Sequence, residues 1–282
     1  MSIKNLEPNG LWKNFYALTQ IPRPSKKEEK VVAFLKEFGE NLGLETIVDK
    51  VGNVIIRKPA TPGYEDRMGV VLQAHVDMVP QKNSDKVHDF EKDPIETRIE
   101  DGWVKANGTT LGADNGVGAA AAMAVLEATD LVHGPIEGLF TIDEETGMTG
   151  ANALEPGVLK GDILINMDSE TEGELYVGCA GGIDTCGYFT PKFEDVPAGS
   201  KAFQLIVKGL KGGHSGMDII LGRANANKVM NALLLKATEK FNARVADIQG
   251  GSLRNAIPRE SFVTITVPEA KAEELLAYVP EF

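Results

Sequence analysis

The sequence predicts an α/β fold: a central mixed sheet flanked by helices, followed by a smaller α+β module. Three observations predict it. Apolar runs of strand length alternate with helical patterns through the first 170 or so residues, which is how an α/β sheet is written in sequence. Three of those runs close on polar clusters, Ala74-His75-Val76-Asp77, Asp143-Glu144-Glu145-Thr146-Gly147 and Asn166-Met167-Asp168-Ser169. After Gly181-Gly182 the order becomes strand, helix, strand, strand, helix.

The elements follow in order. Leu11 to Gln20 reads as a short helix stopped by Pro22 and Pro24, since a residue before proline is pushed out of the α region. Ser25 ahead of Lys26-Lys27-Glu28-Glu29 resembles an N-cap. The helix it opens carries Val31, Val32, Phe34, Leu35 and Phe38 at helical spacing and ends near Gly43. Leu44–Val51 and Asn53–Lys58 read as a hairpin. Met68 to Ala74 is apolar except for Gln73, as expected of a central strand. The Gly-rich loop Gly112–Gly118 leads through Ala119-Ala120-Ala121-Ala122 into a tightly packed buried helix. Ile136–Ile142 and Ile163–Met167 read as two more buried strands. In the second part Lys201–Gly209, Val245–Ile248 and Phe262–Val267 are expected strands, and Ala224–Lys240 and Glu269–Tyr278 expected helices. Domain portions of 1–185 and 186–282 follow.

Composition bounds the function. With 282 residues, 43% of them hydrophobic, the chain can bury a large core. Its net charge of -12 argues against nucleic acid, whose binding runs on basic patches. No apolar run approaches the ~20 residues that span a bilayer, and Met1-Ser2-Ile3-Lys4-Asn5 opens no apolar signal segment. Cys179 and Cys186 alone make no disulfide framework, so a reducing cytoplasm is expected.

The polar clusters carry the chemistry. His75 and Asp77, two apart on an extended segment, point to the same side, so Asp77 can fix the tautomer of a metal-ligating His75. Asp114 sits among Gly112, Gly116 and Gly118, a loop free to adopt unusual backbone angles; capping of the following helix is the alternative use. Glu144 and Glu145 follow a buried strand, where adjacent carboxylates repel unless cations intervene. Asp168 repeats the pattern, and His214 lies among glycines in Gly212-Gly213-His214-Ser215-Gly216. Singly each has a plain structural use as a cap, an acidic turn or a loop histidine. Together they point to a two-metal hydrolase site. No Ser or Cys nucleophile is needed, and Gly213-His214-Ser215-Gly216 is not a nucleophile elbow.

These motifs, with Leu111-Gly112-Ala113-Asp114-Asn115-Gly116 and Glu144-Glu145-Thr146-Gly147, resemble the dinuclear zinc peptidase family of aminoacylase, carboxypeptidase G and bacterial dipeptidases. Asn166–Glu170, Val177–Gly182 and Arg254–Glu260 carry a closer likeness, to bacterial Xaa-His dipeptidases of that family. The resemblance implies a zinc-peptidase catalytic domain with an inserted lid, and two divalent ions, zinc first with cobalt or manganese as alternatives. Asp114 would bridge the ions, His75 and Asp168 would complete one, and Glu145 would bind the other. Glu144 would be the general base, Asp77 would orient His75, and His214 would stabilise the oxyanion. Asn255 and Arg254 would bind substrate. The Asp114–Asn115 peptide is expected to be cis. Small peptides, Xaa-His dipeptides among them, would be the substrates, and the lid a homodimer surface. A deacylase, tripeptidase or carboxypeptidase of the same family, and an inactive metal-binding fragment, are the alternatives.

One departure stands out. The family's second metal takes a further histidine from beyond the lid, whereas only His75, His88, His133 and His214 are present here. His88 and His133 lie in polar loops and read as surface residues. The chain is therefore expected to be the N-terminal portion of a longer enzyme, weak in its second metal and in turnover.

Overall fold

The computed structural model describes residues 2–169, 171–178 and 185–282. Cys179 and the Gly181-Gly182 break lie outside them, as do Glu170 and Ala180. The chain divides into two compact units, Met1–Ala180 and Gly181–Phe282.

In the first unit, helices α1 (Asn9–Thr19) and α2 (Glu29–Asn41) precede a hairpin of β1 (Glu45–Val48) and β2 (Val54–Lys58). Its turn is tied by Asp49, whose Oδ1 accepts the amides of Val51, Gly52 and Asn53. Then come β3 (Val70–His75), the hairpin β4 (Thr97–Glu100) and β5 (Trp103–Ala106), and helix α3 (Ala113–Glu127). Strand β6 (Ile136–Thr141), the single-turn helices α4 (Glu144–Gly147) and α5 (Thr149–Asn152), and β7 (Ile163–Asn166) complete the unit.

The sheet order is β1-β2-β6-β3-β7. Strands β6, β3 and β7 run parallel, and β1 and β2 pair antiparallel. The sheet is thus mixed, as expected. Because β3 pairs His75 with Thr141 and Gln73 with Asn166, the three polar strand ends meet on one edge. Gln73, the one polar break in β3, has a use there. Its amide donates to Thr141 Oγ1 at 3.2 Å and accepts from Asn166 Nδ2 at 2.6 Å, stitching all three strands.

Alternation along the strands sorts the core. Val54, Ile56, Leu72, Ala74 and Phe140 face helices α1 to α3, while Ile55, Val71 and Leu139 face the segment containing Leu154, Val158 and Leu159. The alanines of α3 let it approach closely, and Gly138 of β6 completes the fit: a Cβ there would stand 2.7 Å from Leu126 Cδ1.

Three expectations are corrected. Helix α2 starts at Glu29, and Ser25 does not cap it, because its hydroxyl donates to Asp77 Oδ2 at 2.8 Å. Strand β7 is not buried. Leu164 is 54% exposed, because β7 pairs only with β3 and nothing among the described residues covers either face. His88 is not a surface residue: it is 9% exposed and packs edge-on against Phe90. The β4–β5 hairpin, absent from the sequence reading, carries a signal in Asp101-Gly102. Both have positive φ, the Asp-Gly chemistry of a tight two-residue turn.

The second unit is a three-stranded antiparallel sheet with helices on one face. Its strands are β8 (Ser200–Val207), β10 (Arg244–Gly250) and β12 (Ser261–Pro268), in the order β10-β12-β8. The two-residue strands β9 (Gly213–His214) and β11 (Ala256–Ile257) pair with each other. Helix α6 (Ala226–Phe241) is capped by Asn225, which accepts from the amides of Asn227 and Lys228. Helix α7 (Ala272–Tyr278) follows β12. Met230, Leu233, Ala237 and Phe241 of α6 pack on Leu205, Val263 and Ile265 of the sheet.

Candidate metal centre

The parallel strand ends and the Gly-rich loop bring five side chains together. One ligand atom from each of His75, Asp114 and Asp168 lies within 4.8 Å of the others, and the same holds for His75, Glu144 and Glu145. The two triads share His75. Its Nε2 stands 3.0 Å from Asp114 Oδ1 and 3.7 Å from Asp168 Oδ2. Its Nδ1 is 3.2 Å from Asp77 Oδ1. His75 and Asp77 are both buried, with 1% and 0% exposure.

Each residue is held by its local chain. Asp77 Oδ1 also accepts the Glu144 amide at 3.0 Å, and Oδ2 accepts the Glu145 amide at 3.3 Å. One buried carboxylate thus orients the histidine and seats the first turn of α4. Asp143, at φ 50, turns the chain there, and its carboxylate accepts from the hydroxyls of Thr146 and Thr149. The Asp114–Asn115 peptide is cis, as the resemblance implied. Asp114 and Asn115 depart from helical angles inside α3, so Asp114 is not a simple helix cap. Asn115 Nδ2 donates to Met167 O at 3.0 Å and to an oxygen of Asp168, so Asn115 links the Gly-rich loop to the third strand end.

The electrostatics describe a site short of positive charge. Burial foremost, then Asp114, pushes the Glu145 carboxyl up to about 8. Burial, with Asp114 adding to it against the pull of His75, raises Asp168 to about 6. Burial works against a charged His75, yet its bonds to Asp114 and Asp77 hold it up at about 10. Asp77 goes the other way: burial opposes its charge, but the His75 bond and the Glu144 amide hold it below the usual range. A histidine and four carboxylates crowded in this way suit divalent cations, and imidazole with carboxylate suits zinc, cobalt or manganese. The donor set therefore fits a metal. A third acidic group, Glu28, Asp77 and Asp143, is equally compact and fully buried. Its oxygens accept main-chain amides and hydroxyls that hold the surrounding turns.

His214, Arg254 and Asn255 lie in the second unit. His214 pairs with Ala256 across β9 and β11, and the Ser215 amide donates to Asn255 O at 2.9 Å. Two motifs some forty residues apart in sequence thus sit side by side. Asp218 and Arg223, absent from the sequence reading, brace them. Asp218 Oδ2 accepts from the His214 amide and from Arg223 Nη1, both at 2.8 Å. A Cβ on Gly213, at φ +146, would stand 2.3 Å from Arg223 Nη1, so the glycine is required there.

A mixed sheet with a histidine and four carboxylates gathered at its parallel strand ends defines an α/β protein built around a metal site. The comparisons agree. Residues 71–178 match the model of peptidase family M20/M25/M40, and residues 205–281 that of a peptidase dimerisation domain. The chain belongs to peptidase family M20/M25/M40. It is 52% identical over 277 residues to the cytosol non-specific dipeptidase of Escherichia coli, covering 98% of this chain and 57% of that protein. The structure of aminoacylhistidine dipeptidase from Vibrio alginolyticus superposes with a TM-score of 0.64 at 51% identity, covering 100% of this chain and 58% of that one. Aminopeptidase PepT from Bacillus cereus shares the fold, with a TM-score of 0.50 at 20% identity over 96% of this chain and 70% of that one. The chain spans a little over half the length of the relatives most like it among these. No helix among the described residues is long and apolar enough to cross a membrane.

Proposed function

We propose that this chain carries the catalytic residues of a metal-dependent dipeptidase acting on Xaa-His and related dipeptides in the cytoplasm. The observation that carries the reading is the pair of ligand triads sharing His75 at the sheet edge. The names of the two relatives about half identical to it supply the substrate class. Residues 1–185 form the catalytic portion, and 186–282 a lid portion that pairs two copies.

Two divalent ions, zinc foremost, complete the site. Asp114 would serve both ions, His75 and Asp168 would hold one, and Glu145 would help hold the other. When bound, the ions polarise the scissile carbonyl and make water acidic enough to be deprotonated near neutral pH. Asp77 keeps the Nδ1 proton of His75, which leaves Nε2 as the ligating atom. Glu144 takes the proton of the attacking water and returns it to the leaving amine. His214 donates to the carbonyl oxygen as negative charge develops there. Arg254 and Asn255, beside His214, bind the peptide.

The test is turnover of an Xaa-His dipeptide by the zinc-loaded protein, with chelator and Glu144→Gln as controls. Weak chelator-sensitive cleavage, abolished by Glu144→Gln, is the expected result, because the further histidine that the family resemblance implies for the second metal is not among the four present. Cleavage of N-acyl amino acids, tripeptides or longer peptides instead would move the assignment to a deacylase, tripeptidase or carboxypeptidase. Bound metal with no turnover of any of them would leave a metal-binding fragment.

A further inference from the structure

We infer that Arg23, Ser25 and Glu28, which supply no atom to the ligand triads, are positioning residues that fasten the three ligand-bearing loops of the proposed metal site into one unit. They lie on the connection between α1 and α2, well before residues 71–178 that match the family model.

Each residue holds a different loop. The Arg23 guanidinium is 1% exposed. It donates through Nη1 to Val76 O at 2.9 Å and Asp77 O at 3.2 Å, and through Nη2 to Gly112 O at 2.6 Å. It therefore clips the exit of β3 to the loop that delivers Asp114. Two of that loop's glycines exist for this guanidinium: a Cβ on Gly112 or on Gly116 would stand 2.6 Å from Arg23 Nη2. Ser25 Oγ donates to Asp77 Oδ2 at 2.8 Å. Glu28 Oε1 accepts the amide of Asp143 at 3.1 Å, fixing the residue that turns β6 into Glu144 and Glu145. The main chain joins in, with Met78 N donating to Arg23 O at 3.1 Å and Ser25 N to Met78 O at 3.3 Å.

The Asp77 carboxylate shows why this matters. A carboxylate offers about four lone-pair positions. Here they meet His75 Nδ1, the amides of Glu144 and Glu145, and Ser25 Oγ. Ser25 is the only one of these partners from outside the ligand segments, and it closes the carboxylate's freedom to rotate. Partners one layer out from a metal set the geometry of its ligands, and losing one typically costs 10–100-fold in metal affinity.

The inference rests on the metal reading above, so its test has an arm that needs no metal. In chelator, amide hydrogen exchange is followed at Asp143, Glu144 and Glu145 in the chain and in its Ser25→Ala and Glu28→Ala variants. Zn²⁺ binding is then measured on the same proteins by competition with a chromophoric chelator. The expected result is faster exchange at those amides with a nearly unchanged melting temperature. Zn²⁺ affinity should fall by about 10–100-fold, and Ser25→Thr and Glu28→Gln, which keep the donor and the acceptor, should restore both. Unchanged exchange at all three amides, or losses that merely follow the melting temperature, would overturn the inference. Should the unsubstituted chain take up no Zn²⁺, the metal reading fails, while the exchange arm still decides the positioning role.

Discussion

Asp77 Oδ1 accepts the main-chain amide of Glu144 at 3.0 Å, so the carboxylate that orients His75 also seats the proposed base. Sequence spacing joins Asp77 to His75 alone, because the Glu144 amide comes from the turn after β6, next to β3 in the sheet but 67 residues on in sequence. Asp77→Asn keeps the shape but turns one acceptor into a donor that faces other donors. Zinc affinity should drop by about 10–100-fold, and a competition titration checks it. Affinity equal to that of the unsubstituted chain would show that Asp77 has no orienting role.

Proton traffic should accompany metal uptake. With His75 held up at about 10 and Glu145 at about 8, both carry protons near neutrality in the metal-free chain. Zinc binding there should release about two protons. Calorimetry in buffers of different ionisation enthalpy reads that number, and a value of zero would remove His75 and Glu145 from the ligand set.

Stability without metal should carry the same signature. His75, Glu145 and Asp168 all have raised values in the folded chain, so the native state holds protons that the unfolded chain gives up. Stability falls with rising pH wherever the folded state binds more protons. The window runs from the ordinary carboxylate range up through about 8 for Glu145, and on to about 10 for His75. Asp77, held low, acts in the opposite sense and only at the acid end. In chelator the melting temperature should decline between about pH 6 and about pH 9, and saturating zinc should flatten the slope. A flat profile in chelator would contradict the crowded-carboxylate picture.

Much of this was legible in the sequence, for identifiable reasons. The polar clusters stand out because each closes an apolar run or sits among glycines, and a periodic strand announces its own end. Arg23, Ser25 and Glu28 were not legible, because a turn containing Pro22 and Pro24 gives no sign that it will be buried under three other loops. The exposure of β7 was hidden too: Ile163-Leu164-Ile165 has the composition of a buried strand, and only pairing shows which neighbours it has. The nearness of His214 to Asn255 depends on a two-residue ladder, too short to leave any period.

Gly118 tests the join between the Gly-rich loop and Asp168. A Cβ there would stand 2.1 Å from Asn115 Oδ1 and 2.8 Å from Met167 O, which displaces Asn115 from its bonds to Met167 and Asp168. Gly118→Ala should cost about 1–3 kcal/mol by overpacking and weaken zinc binding along with it. Thermal unfolding and the zinc titration read the two effects. Loss of stability with intact zinc affinity would show that Asn115 does not position Asp168.

His214 allows a sharper test than truncation, because its two ring nitrogens have separate duties. Nδ1 accepts the amides of Gly216 at 3.0 Å and Met217 at 3.2 Å. Amides can only donate, so in the neutral ring the proton sits on Nε2, the atom free to serve as a donor to substrate. Asparagine can place its Oδ1 where Nδ1 stands and so keep the loop, yet it has no atom that reaches as far as Nε2. His214→Asn should therefore leave the melting temperature and zinc content unchanged. Dipeptide turnover should fall by about 10²–10³-fold, as for loss of one oxyanion donor, mainly in kcat rather than KM. His214→Gln, whose amide nitrogen extends further, should recover part of that loss. Equal turnover by His214→Asn and the unsubstituted protein would remove His214 from the reaction, and a parallel fall in zinc content would make it a ligand instead.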